Sequence, residues 1–134
     1  MTEPQPTSLD DINNDDDELV ALWWRRSDRL MSGAYEAAYA LDWVCTAVDD
    51  RMTYDDTEGT VHLLDRLVEH PSANMDVVAE NILDELLETR GPEVAPMIAD
   101  LAERHHRWQA ALRAVTIDAE HRKGVPALAA YLHA

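Results

Sequence analysis

Carboxylates are the residues of this chain with the most obvious chemical potential, and the densest run is "DDINNDDDE", Asp10 to Glu18. A calcium loop of the EF-hand kind needs oxygen ligands at its first, third and fifth positions, glycine at the sixth and a bidentate glutamate at the twelfth. Starting at Asp11, Asn13 and Asp15 fall in place, but Asp16 stands where glycine is required and Leu22 where glutamate is required. The run is therefore not an EF-hand loop. Asp15 can instead cap a helix, with Glu18 closing a capping box and Asp16 and Asp17 facing the positive end of the helix dipole.

The other reactive side chains do not assemble into a known constellation. His62, His70, His105, His106, His121 and His133 lack the i, i+4 spacing that brings two rings to one metal, and one cysteine cannot build a thiolate site. Arg104 and Arg107 flank the His105-His106 pair, and their charge disfavours a cation. Cys45 lies among apolar residues, with no helix N-terminus or basic neighbour to lower its pKa. Ser8, Ser27, Ser32 and Ser72 occur without a Gly-x-Ser-x-Gly elbow, and no glycine-rich loop could cradle a phosphate. No catalytic residue, cofactor site or metal site is expected, so the chain reads as a non-enzyme.

Charge is the stronger signal. The net formal charge is −16, and it is unevenly placed: residues 1 to 89 hold 22 acids against 5 arginines, whereas residues 90 to 134 hold 5 acids against 6 basic residues. Such a surface repels phosphate, which excludes direct nucleic-acid binding, and an acidity confined to one part of the chain suits a directed acidic face. The cationic set Arg104, His105, His106, Arg107, Arg113, Arg122 and Lys123 could at most hold one anionic partner. No segment is apolar enough over 18 to 20 residues to span a bilayer, no signal peptide is legible at the N-terminus, and the lone cysteine suits a reducing compartment, so the expected location is cytoplasmic.

The elements that must carry these groups are helical. With 46% apolar residues, no Phe and only 4 Gly, the long turn-free stretches predict an all-α domain. Residues 1–14 are expected as a flexible acidic tail and 15–134 as a single helical domain. The apolar periodicity predicts a first helix over about 16–31, ended by Ser32-Gly33, and a second over 34–48 with a stripe of Tyr35, Tyr39 and Trp43. An acidic linker over 49–58 follows, then helices over about 58–69 and 75–89, with Asn74 capping the latter and Gly91 just past its end. A fifth helix opens at Pro92 and runs to the His105-His106 turn. A sixth carries Trp108, Ala111, Leu112 and Val115, and a short last one starts at Pro126.

"LDRLVEH", Leu64 to His70, and "IADLAER", Ile98 to Arg104, match at an offset of 34 residues. That spacing suits either a short stack of helical hairpins or an irregular bundle of about six to seven helices. The stretch "NILDELLETRGPEVAPMIADLAERHHRWQAALRAV", Asn81 to Val115, resembles the C-terminal half of small HEAT-like bacterial proteins of unknown function. Leu83, Leu86, Leu87, Gly91, Ile98, Leu101, Trp108, Leu112 and Val115 occupy the matching places. The resemblance implies a HEAT-like fold, and proteins of this look often stand beside polymorphic toxins as candidate immunity proteins.

Together these features predict a binding protein that neutralises a basic, nucleic-acid-acting protein, as an immunity protein or a phage DNA mimic would. The expected contact residues are Asp15, Asp16, Asp17, Glu18, Asp49, Asp50, Asp55, Asp56 and Glu58. Trp24 and Tyr39 are the expected aromatic anchors, since adjacent Trp23 and Trp24 cannot both enter one narrow core. The alternative is a HEAT-like adaptor or oligomeric scaffold subunit, a homodimer included, whose acidity serves solubility.

Overall fold

The computed structural model describes residues 16–132, and among them every regular element is helical, with no strand. The flexible tail expected at 1–14, and Asp15 as its boundary and cap, lie outside the described residues. The chain groups into two compact units, Met1–Ser72 and Ala73–Ala134.

The first unit contains α1 (Asp16–Met31), α2 (Tyr35–Tyr39), α3 (Asp42–Tyr54) and α4 (Thr57–Glu69). Helix α1 opens on Asp16, Asp17 and Glu18, whose charge complements the dipole, and closes at Gly33, whose φ of 82° ends the helix in a left-handed turn. It packs against α2, α3 and α4, so its buried arc is wide: Leu19, Val20, Leu22, Trp23 and Trp24 are all inside. That width corrects the expectation of one exposed tryptophan. Trp23 and Trp24 meet edge to face, 4.7 Å between ring centroids at 85°, and both are buried.

The single second helix expected over 34–48 is two helices. The chain breaks at Ala40-Leu41, where Leu41 has φ −106° and ψ 13°, and α3 then runs on to Tyr54. The acidic linker expected at 49–58 is thus mostly helix: Asp49 and Asp50 belong to α3, and only Asp55 and Asp56 connect it to α4. Burial of Val48 and Met52 explains why the helix continues through two aspartates, since their packing outweighs a weak helix propensity. Asp56 caps α4, its carboxylate accepting from Gly59 N at 2.7 Å. Val61, Leu64, Leu67 and Val68 are buried as their spacing predicts.

The second unit begins at α5 (Met75–Val78), capped by Asn74, which accepts from Asp76 N and Val77 N. A π turn, Ala79–Leu83, joins it to α6 (Asp84–Arg104). The buried pairs Val78-Ala79, Ile82-Leu83 and Leu86-Leu87 recur every four residues, which drifts about 40° per turn on an ideal α-helix. A π turn takes up that drift and keeps all three pairs on one side. Helix α6 kinks at Arg90 (φ −134°, ψ 21°), just before Pro92, and continues through Pro96.

Gly91 is not the left-handed cap its position predicts. It is buried, and a Cβ there would lie 2.8 Å from Val125 Cγ1, so the absence of a side chain admits the C-terminal segment. Met97, expected inward, is exposed. Then come α7 (His106–Arg113), with Trp108, Ala111 and Leu112 buried, and α8 (Ala119–Arg122), which the periodicity does not predict. A 3₁₀ turn, Pro126–Leu128, follows and buries Leu128. Asp84 fastens the loop after α7, accepting from the backbone N and hydroxyl of Thr116, both at 2.9 Å.

Candidate functional site

Ten of the eleven expected contact residues fall on described residues of the first unit, and the structure sorts them into two ends and a core. Because α3 follows α2 and runs back along α1, Asp42 meets Arg26 near the C-terminal end of α1, while Arg51 meets Asp16 at its N-terminus. Asp16, Asp17, Glu18, Asp49, Asp50, Asp55, Asp56 and Glu58 therefore gather where α1 begins, α3 ends and α4 begins.

Arg51 organises this acidic end. Its Nη1 donates to Asp16 Oδ1 at 2.5 Å, its Nε to Asp55 Oδ2 at 2.7 Å, and its Nη2 to the carbonyl of Gly59 at 3.4 Å. Its own carbonyl accepts from the hydroxyl of buried Thr60 at 3.0 Å. Burial alone would lower the Arg51 pKa, but hydrogen bonds to Asp16 and Asp55 outweigh it and raise it, so the guanidinium stays charged. Asp17 pairs with Arg66, and His62 Nε2 lies 3.7 Å from Asp16 Oδ2.

Several expected contact residues thus have internal duties. Asp16 and Asp55 grip Arg51, Asp17 holds Arg66, and Asp56 caps α4. Glu18, Asp49, Asp50 and Glu58 complete the cluster, and Asp50 and Glu58 make no ion pair among the described residues. Tyr54, the last residue of α3 and directly before Asp55, is 82% exposed among these carboxylates. It is the aromatic of the acidic end, and the sequence reading missed it.

The two expected anchors do not serve there. Trp24 is 1% exposed, and its indole Nε1 donates to the carbonyl of Leu67 at 2.9 Å, so it is a core residue bonded across to α4. Tyr39 is exposed, but it precedes α3, about 20 Å along that helix from Asp55. There it stacks with Tyr35, 6.5 Å between centroids at 23°. Trp43, the third member of that stripe, is half-buried, and its Nε1 is buried without an acceptor. Cys45 is also half-buried, and burial pushes its thiol pKa up, which makes it a poor nucleophile.

Beside the acidic end, α1 and α4 flank an open groove of about 500 Å³ lined by Asp17, Val20, Asp65, Arg66, Glu69 and His70 with Pro71. Asp17 and Arg66 pair with each other there, which leaves Glu69 as the carboxylate of the lining suited to a cationic side chain. No three or more His, Cys, Asp or Glu among the described residues are arranged to hold a metal ion, and no described helix is long and apolar enough to cross a membrane. What fold and site define is a class: an all-helical protein with an acidic, aromatic-bearing face. Comparisons with family models, curated proteins and solved structures find no match.

Proposed function

We propose that this chain is a non-catalytic, cytoplasmic binding protein that neutralises a basic, nucleic-acid-acting protein, in the manner of an immunity protein or a phage-encoded DNA mimic. The observation that carries this reading is Tyr54: an aromatic 82% exposed at the end of α3, beside Asp55 and one helical turn after Asp50, on a backbone that Arg51 braces from within. An exposed ring among carboxylates is suited to a surface of arginines and lysines, where the ring buries area and the charges steer encounter.

The contact set follows from the internal duties described above. Tyr54, Asp50 and Glu58 face the partner, and the groove beside Glu69 receives one of its cationic side chains. Asp16, Asp55 and Asp56 shape the surface. The stretch Asn81 to Val115 resembles small HEAT-like bacterial proteins of unknown function, some of which stand beside toxins as candidate immunity proteins, a likeness that bears on fold more than on function.

Pull-down from the native host at about 0.05 M and about 0.5 M salt tests the proposal, since the Debye length shrinks severalfold between them. The expected partner is basic. It is retained at low salt, released at high salt, and lost when Asp50→Lys and Glu58→Lys are combined with Tyr54→Ala. A partner held equally under all these conditions would sink the idea.

A further inference from the structure

At the other end of α1 the surface has a different character. Nine of the ten residues from Met31 to Ala40 are exposed, Ala38 being the exception. The stretch reads "MSGAYEAAYA" and holds one charged residue, Glu36, in a chain of which 28% is charged. Met31, Tyr35 and Tyr39 are 75%, 55% and 58% exposed, and the two tyrosines stack on each other. Ala34, Ala37 and Ala40 stand between them and let another backbone come close. Met and Tyr are enriched at protein interfaces, and exposed apolar side chains that cluster, as the stacked tyrosines do, mark interaction sites more than scattered ones do.

The charge of the segment that carries the patch bears on what covers it. Residues 25 to 42 hold Arg25, Arg26 and Arg29 with Asp28, Glu36 and Asp42 and so are neutral, Arg26 pairing with Asp42, whereas residues 1 to 72 as a whole hold 17 acids and 5 arginines. A basic partner is drawn to the acidic end, not here. A surface that meets its own copy across a two-fold axis must be complementary to itself, and in a chain of net charge −16 a neutral segment with both signs satisfies that condition.

We infer that the Met31 to Ala40 face is a homodimer interface, in which the α2 elements of two copies pack with Tyr35, Tyr39 and Met31 at the centre. This dimer leaves the acidic end of each copy open. It does not depend on the function proposed above, because no partner protein takes part in it.

Light scattering or sedimentation of the purified full chain, from about 1 µM to about 1 mM, tests the inference. The expected mass rises with concentration toward twice the 15.1 kDa chain. Raising the salt strengthens association by screening the repulsion between two acidic chains, the opposite of its effect on a basic partner. Tyr35→Glu with Tyr39→Glu weakens the dimer about tenfold or more, whereas Asp50→Lys with Glu58→Lys leaves it intact. Circular dichroism checks that helicity is kept, and if the glutamate pair disturbs it, Tyr35→Ser with Tyr39→Ser replaces it. A chain that stays monomeric throughout this range overturns the inference. So does a dimer indifferent to both tyrosine variants, or a face whose tyrosines matter only for binding a different protein.

Discussion

The two ends of α1 hold similar numbers of arginines but use them differently. At the N-terminal end, Arg51 and Arg66 reach across long stretches of sequence to Asp16 and Asp17, and Arg51 also grips Asp55 and the Gly59 carbonyl, so one largely buried guanidinium joins α1, α3 and α4. At the C-terminal end, Arg26 meets Asp42 at 3.0 Å in a more exposed pair, and Arg29 donates to the carbonyl of Ala37. The first end spends much of its charge on its own architecture and keeps a remainder around Tyr54. The second balances its charges and leaves aromatics bare. Counting carboxylates therefore overstates what is free to bind, and the exposed rings mark where binding area remains.

The largest expected effect concerns the helix between the two ends. Trp24→Ala removes a fully buried indole and orphans the Leu67 carbonyl, and should cost about 3–5 kcal/mol by urea denaturation. Tyr39→Ala, by contrast, should stay within about 0.5 kcal/mol under conditions where the chain is monomeric. Similar costs for the two would erase the distinction between the core tryptophan and the surface tyrosine.

Next in size is the arginine comparison. Arg51→Ala leaves Asp16 and Asp55 facing each other in a half-buried setting without their counter-charge, for an expected loss of about 2–4 kcal/mol. Arg26→Ala at the other end breaks a solvent-screened pair and should cost about 0.5 kcal/mol or less. Thermal melts of both variants decide the matter, and equal shifts would mean that Arg51 is no more structural than Arg26.

These contrasts also explain what the sequence could and could not reveal. Helix α1 was legible because its acidic first turn, apolar spacing and Gly33 all agree. The buried faces of α4 and of the stretch from α5 onward were legible because Val61, Leu64 and Leu67, and then Val78, Ile82 and Leu86, recur at three- and four-residue spacing, but the π turn that keeps the latter in line was not. The break at Ala40-Leu41 was not, since no Gly or Pro marks it and Ala40 suits a helix. Asp49 and Asp50 have the weak helix propensity of a linker, and only the burial of Met52 in the folded chain carries the helix through them. As for the site, the acidic cluster was visible as composition. Which of its members are already engaged depends on Arg51 lying beside Asp16, 35 residues earlier in the chain, and no local pattern encodes that. Trp24 was misplaced for a related reason: the width of a buried arc depends on how many helices surround it.

Gly59 gives a smaller and sharper test of the acidic end. A Cβ at this position would come within 2.8 Å of Asp55 Oδ1 and 2.7 Å of its Cγ, so Gly59→Ala should push the Asp55 carboxylate off Arg51. Overpacking outweighs the gain in helix propensity, for a net loss of about 1 kcal/mol. In an Asp55→Ala background the obstacle is gone, and the same substitution should become stabilising. A double-mutant cycle measures the sign change, and its absence would mean that the Asp55 to Arg51 link does not depend on the bare Gly59 backbone.

The smallest effect comes from the second unit, where an acid has a purely local task. Asp118 caps α8, its Oδ1 accepting from His121 N at 2.9 Å with His121 Nδ1 at 2.7 Å, and the backbone hydrogen bond is the main cause that holds its pKa below the ordinary carboxylate value. A carboxyl with a depressed folded-state pKa contributes its full stabilisation above the unfolded value of about 3.9, and loses it as pH falls through the lower folded value. Following the Asp118 side-chain carbonyl by NMR should therefore give a midpoint below about 3.9 in the folded chain. Asp118→Asn keeps an acceptor for the cap while removing the titration, so its α8 amides should lose the acid-dependent shift that the wild type shows. If Asp118 titrates like an unstructured aspartate, then the distinction between acids that hold the fold and acids left for a partner must rest on Asp16, Asp17, Asp55, Asp56 and Asp84.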